Sequence, residues 1–248
     1  MRIAAAESIG PGPKTSLELN GTFVVGMAAA MFVVNFVGFG PTFFLRPFFD
    51  VPPIPVYLYA HGIVGSAWFA LVVTQALLIA NRRFTRHRQL GWFGVGLAVV
   101  VIGLGVYTST HMVPRNAAAH ALSQADIELY NVVTAADLAG FVTFPTLVAL
   151  AIYFRRRTDI HMRLMLFATL EIMGPANARI ASWGASYIPI IVVLVLGLLA
   201  AFVVHDVWTR RRVHGATLFG IVFVEGVNVA FQASGIGPAI VAYRLAHL

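Results

Sequence analysis

The chain has 248 residues, of which 59% are hydrophobic and only 11% are charged, and its mean hydropathy is +0.82. Soluble domains carry about 25% charged residues, so this composition excludes an ordinary soluble protein and indicates an integral membrane protein. The net charge of +7 does not indicate nucleic-acid binding, because the arginines lie between apolar stretches, and the lack of cysteine excludes disulfides, thiolate metal sites and a cysteine nucleophile.

The N-terminal segment, residues 1–20, is polar and contains prolines and glycines, so we expect a mobile tail there. Apolar stretches of about 20 residues follow, the length that crosses the hydrocarbon core as a helix. The sequence therefore predicts an all-α, polytopic membrane bundle of seven transmembrane helices within residues 21–236, and a C-terminal tail over 237–248. The predicted spans are 21–44, 57–80, 90–111, 129–154, 162–182, 188–208 and 216–236.

Most of the 17 Lys and Arg residues lie in three short segments between spans, which we call the arginine segments. The positive-inside rule places these segments and the N-terminus in the cytoplasm and the C-terminus outside, in a bacterial inner membrane. We also expect them to contact anionic lipid head groups. The segments contain Arg82, Arg83, Arg86 and Arg88; Arg155, Arg156, Arg157 and Arg163; and Arg210, Arg211 and Arg212.

The fifth predicted span is the least apolar, because Glu171, Pro175 and Arg179 interrupt it. Without this span the second and third arginine segments would lie on opposite sides of the membrane, whereas with it all three lie on one side. We therefore keep the span and expect a kink at Pro175.

Two strings, HRQLGW (87–92) and HMRLMLFATL (161–170), resemble a group of uncharacterised bacterial multi-pass membrane proteins, and this resemblance implies no established activity. More remotely, histidines at the ends of helices two apart are similar to those of cytochrome-b-type membrane proteins, where such pairs ligate haem. That similarity implies one b-type haem between His87 and His161. The partner pair departs from the pattern, because the fourth predicted span has no histidine.

Polar residues on four different spans lie at a similar depth. Counted from the outer boundary, Asn35, Asp137, Glu171 and Glu225 are roughly 8–11 residues deep, which at about 1.5 Å per residue is near the bilayer centre. Ionisable residues at this depth usually face the bundle interior and mark ion or proton pathways. Asn228 follows Glu225 by three residues and therefore shares its helix face.

These residues predict a mid-membrane acidic pocket that binds or transports a proton, a cation or a small polar ligand. Arg179 lies two helical turns outward of Glu171 and is placed to neutralise a carboxylate, and His61 lies further out. Hydrogen bonding between helices, without any chemistry, is the alternative interpretation of the same residues. The predicted pocket consists of Asn35, His61, Asp137, Glu171, Arg179, Glu225 and Asn228.

Histidines near the arginine segments form a second candidate site: His87, His161, His205 and His214. Imidazoles ligate haem iron, copper or zinc, and the other interpretation is capping of helix ends at the membrane surface. The leading hypothesis is thus the acidic pocket, followed by a redox protein with one b-type haem between His87 and His161, and then by a structural or assembly subunit. No catalytic motif is present, so the sequence assigns no enzyme activity and no catalytic residue.

Overall fold

The computed structural model describes residues 16–182 and 187–248, and every regular element within these ranges is a helix. Residues 1–15 of the predicted tail lie outside the described residues, and residues 16–20 belong to the first helix. The long helices are α1 (Ser16–Phe39), α2 (Val56–Ala80), α3 (Phe84–Ala119), α4 (Gln124–Tyr153), α7 (Tyr187–Arg210) and α8 (Gly215–Ala233). The short helices are α5 (Thr158–Glu171), α6 (Gly174–Ser182) and α9 (Ile236–Ala246), and α1 is extended by a π-helical turn, Gly40–Phe44, and a 3-10 turn, Arg46–Phe48.

Six helices in the described part of the chain are long and apolar enough to cross a membrane, which confirms the predicted all-helical, multi-pass membrane character. The fifth predicted span, 162–182, is not a single helix, because α5 ends at Glu171 and α6 begins at Gly174. Pro175 lies in the first turn of α6, where its missing N–H removes no helical hydrogen bond. The proline therefore starts a new helix here instead of bending a continuous one.

Helix α5 lies inside the bundle, with α1, α4 and α8 packed against it. Its residues Leu166–Leu170 are all buried. Phe167 stacks on Phe202 of α7 with 4.4 Å between ring centroids, and the Trp68 indole N–H donates to the Thr169 hydroxyl over 3.2 Å. A helix that is surrounded by other helices presents little surface to lipid, which explains why this segment carries polar residues that a lipid-facing helix avoids.

The arginine segments lie at one end of the bundle, which we call the arginine end. Three contacts between helix ends show this. They join the starts of α5 and α8, the start of α1 and the end of α7, and the starts of α3 and α5. The contacts are Asp159–His214 (3.0 Å), Asn20–His205 (3.0 Å) and the rings of His87 and His161 (6.3 Å between centroids). We call the opposite end the distal end.

The last helix folds back onto the bundle. Gly235 connects α8 to α9 with a φ of 71°, a left-handed conformation that glycine adopts without strain. At Gly237 a Cβ atom would lie 2.3 Å from the Asn131 carbonyl oxygen, so only glycine allows α9 to pack this closely on α4. The segment 237–248, predicted as a tail, thus contains most of a packed helix.

Candidate functional site

Glu171 is the last residue of α5, and its side chain points to α8 and α4. The Asn228 side-chain amide donates to both carboxylate oxygens of Glu171, over 3.1 Å and 3.3 Å, and also to the Val224 carbonyl over 3.1 Å. A Cβ atom at Gly140 of α4 would lie 3.7 Å from Oε1 of Glu171, an ordinary contact distance, so α4 passes close to the carboxylate. Three helices therefore surround this group.

Glu225 precedes Asn228 by one turn of α8 and is close enough to Glu171 to act on it electrostatically. Both glutamates are half-buried. The structure thus places three of the predicted pocket residues, Glu171, Glu225 and Asn228, near one another. We call Glu171 and Glu225 the carboxylate pair. Two acidic groups that act on each other electrostatically favour protonation of one of them.

Asp137 has different neighbours. On α4 it faces the Ser109 side chain of α3 and the Arg244 guanidinium of α9. Arg244 also donates to the Ser109 backbone carbonyl over 2.8 Å. The folded-back helix α9 therefore supplies a cation to Asp137. Arg244 is not part of the predicted pocket, because a contact between α9 and the middle of α3 and α4 has no local sequence signal.

Arg179 of α6 lies with His61 of α2 near the distal end. Its guanidinium stacks over the Phe39 ring at 4.3 Å from the centroid and donates to the Pro175 carbonyl over 3.0 Å. It is also close enough to His61 to act on it electrostatically. Asn35, the remaining member of the predicted pocket, is buried on α1.

His87 and His161 lie together at the arginine end. Their rings are perpendicular, at 89°, with centroids 6.3 Å apart. Nδ1 of His161 is hydrogen-bonded to the Ala151 carbonyl over 2.8 Å, whereas Nδ1 of His87 is buried without a hydrogen-bond partner. Among the described residues, no group of three or more His, Asp and Glu side chains is placed to share a metal ion.

A buried ion pair joins α5 to α7 and was not expected from the sequence. Arg163, a member of the second arginine segment, lies in α5 and is 1% exposed. It forms an ion pair with Asp206 of α7 and donates to the Thr217 hydroxyl of α8 over 3.0 Å. Arg163 therefore connects three helices and does not lie in a surface loop. The predicted span 162–182 already includes Arg163, but no local pattern in the sequence identifies its partners on α7 and α8.

His214 and Asp159 extend this network to the surface. The His214 backbone N–H donates to Asp206, and its Nδ1 accepts from the Ala216 N–H and thereby caps α8. The other ring nitrogen bonds to Asp159. Partial burial raises the pKa of Asp159, but the hydrogen bond from His214, together with the charge of Arg210, outweighs this effect and holds the pKa below its usual range. Asp159 is therefore an anion at neutral pH.

Comparison of the chain with protein-family models, with curated proteins and with solved structures gives no significant match.

Proposed function

We propose that the chain is a multi-pass membrane protein that binds and transfers a proton at the carboxylate pair, Glu171 and Glu225. The observation that carries this proposal is the hydrogen bonding of Glu171 to the Asn228 amide at the break between α5 and α6, with Glu225 one turn away on α8 and within electrostatic range. Two ionised carboxylates in a poorly hydrated interior repel each other and lose hydration, so the arrangement favours one shared proton.

The break between α5 and α6 also favours a bound proton at this site. The last carbonyls of an α-helix carry partial negative charge, and Glu171 lies at the end of α5. A second negative charge beside it is therefore costly, whereas a proton on either glutamate removes the repulsion. Discontinuous helices in membrane proteins place free backbone groups next to such sites. A bound metal ion is less favoured than a proton, because the Asn228 amide presents its N–H to Glu171 and not its oxygen, and the described residues offer no third His, Asp or Glu ligand.

The proposal includes a topology of seven crossings, in which α5 and α6 together form the fifth. Support comes from the 3.0 Å contact between Asp159 and His214, which brings the start of α5 and the start of α8 to the same end. Since α7 crosses once between them, α5 and α6 must together cross once too. With the arginine end in the cytoplasm of a bacterial cell, the C-terminus lies outside.

Anionic lipid head groups would contact the arginine end at one shallow depression. Four arginines line it: Arg82, Arg83, Arg86 and Arg88.

Proton flux into liposomes tests the function. The purified chain is reconstituted with a pH-sensitive dye inside, and a potassium gradient with valinomycin imposes a membrane potential. We expect E171Q and E225Q each to lower the flux at least tenfold, because glutamine keeps the shape and removes the proton site. E128Q is the matched control, since Glu128 is exposed, and it should keep the wild-type flux.

Infrared spectroscopy provides an independent readout of the shared proton. The wild-type protein should show the C=O stretching band of a protonated carboxyl group at neutral pH, and E171Q or E225Q should remove it, whereas E128Q should not. A wild-type flux equal to that of protein-free vesicles would contradict the proposal, as would equal flux in all three variants. Either result would favour a structural or assembly subunit.

A further inference from the structure

A second polar site lies at the arginine end, away from the carboxylate pair. It is formed by His87 near the start of α3, His161 near the start of α5 and Gln75 near the end of α2. The Gln75 backbone lies beside the His87 ring. The Gln75 side-chain nitrogen is 3.7 Å from the position of a Cβ on Gly91, one turn along α3 from His87. The amide therefore extends over the same stretch of α3 that holds the histidine.

Each imidazole retains a nitrogen lone pair. A neutral histidine donates from one ring nitrogen and accepts at the other. His161 uses Nδ1 for the Ala151 carbonyl over 2.8 Å, so this nitrogen is the donor and Nε2 carries the lone pair. A backbone carbonyl that orients a histidine in this way is the usual second partner of a metal-ligating imidazole.

Two buried acceptor atoms lack partners. Nδ1 of His87 and Oε1 of Gln75 are both inaccessible to solvent and without a hydrogen-bond partner. Buried polar atoms without partners are rare in folded proteins, and each requires an explanation such as an ion or an ordered water. Here the atoms without partners are an imidazole nitrogen, which is a common ligand of zinc and copper, and an amide oxygen, which is a weaker one.

The ring separation agrees with one shared ion. A metal–nitrogen bond of ~2.0–2.1 Å on each side gives about 5–6 Å between the centres of two imidazoles that share one metal ion. The observed 6.3 Å is a small side-chain rotation away from that range. Nδ1 of His87 makes no hydrogen bond to the other ring, because it has no hydrogen-bond partner.

We propose that His87, His161 and Gln75 form a binding site for a zinc- or copper-type ion, with the two imidazoles and the amide oxygen as ligands and water in the remaining position. The two lone pairs, the unpartnered amide oxygen and the ring separation together support this set. Three protein ligands and one open position are typical of an exchangeable or reactive zinc site. The site is separate from the carboxylate pair and does not depend on the proposed proton transfer.

The test is a titration of the purified full-length chain with Zn²⁺ and, separately, with Cu²⁺, followed by desalting and elemental analysis. The wild-type protein should retain one equivalent. H161N should bind at least tenfold more weakly, because the asparagine amide can still donate to the Ala151 carbonyl but offers no imidazole nitrogen. H87N and Q75L should also weaken binding. H120N is the matched control, since His120 is exposed, and it should bind like the wild type.

Two further measurements make the result decisive. Circular dichroism and gel filtration show whether H161N remains folded, and E171Q should bind the metal like the wild type, which separates this site from the proposed function. Retention of less than a tenth of an equivalent by the wild type would overturn the proposal, as would equal affinities in H161N, H87N and H120N. A Soret band in protein from haem-supplied cells that H161N abolishes would also overturn it, in favour of haem ligation by the same histidines.

Discussion

Individual polar side chains in this molecule are held by specific partners on other helices. Arg163 shows this most clearly, because its guanidinium reaches Asp206 on α7 and Thr217 on α8, and all three residues are buried. A charge buried in this way requires its counter-ion, since neither group is hydrated. The ion pair therefore fixes the arrangement of three helices at the arginine end.

Removal of one partner of this pair should be strongly destabilising. We expect R163M and D206N each to lower the free energy of unfolding by about 3–5 kcal/mol, because the remaining charge stays buried without compensation. R156M is the control, since Arg156 is exposed in the loop, and a surface substitution usually changes stability by less than ~0.5 kcal/mol. Chemical denaturation in detergent micelles measures the difference. Equal midpoints for R163M and R156M would show that the pair does not stabilise the fold.

Helix α5 marks the limit of what the sequence predicts at the level of elements. The six long helices follow from their apolar length, and their approximate positions are predicted well from composition alone. The break between α5 and α6 is not predicted by the sequence, because Pro175 is compatible both with a kinked helix and with the first turn of a new helix. The central place of α5 is a tertiary property, which apolar length does not encode.

The candidate sites, too, are predicted by the sequence only in part. Glu225 and Asn228 share a helix face by spacing, but the partnership of Asn228 with Glu171 joins residues 57 positions apart. The neighbours of Asp137 are also distant in sequence, since Arg244 reaches it only because α9 folds back through Gly235. The sequence identifies the acids by their depth, whereas the division into a carboxylate pair and a separate Asp137 under the electrostatic influence of Arg244 depends on helix packing.

Close packing between α5 and α8 can be tested at one glycine. A Cβ at Gly220 would lie 2.3 Å from Cδ2 of Phe167, whose ring is already stacked on Phe202. We expect G220A to lower the free energy of unfolding by about 1–3 kcal/mol through overpacking. G226A is the matched control on the same helix, because a Cβ there meets nothing within 4 Å. Thermal unfolding followed by circular dichroism compares them, and equal stability would mean that the two helices separate easily.

For the molecule as a whole, the decisive property is which loops share a side of the membrane. The chain has no cysteine, so single cysteines can be introduced into an otherwise unreactive background. At the arginine end we choose R83C, R156C and R212C, and at the distal side H120C, between α3 and α4. All four positions are exposed in the structure.

The seven-crossing topology predicts two labelling classes. A membrane-impermeant maleimide applied to intact cells should label H120C, whereas R83C, R156C and R212C should react only after permeabilisation, because the arginine end faces the cytoplasm. The pair R156C and R212C is the sharpest test. These positions flank the stretch that contains α5, α6 and α7, so they share a side only if α5 and α6 together cross the membrane. Opposite labelling of these two cysteines would reduce the bundle to six crossings, and it would contradict the contact between Asp159 and His214 that joins the two helix starts.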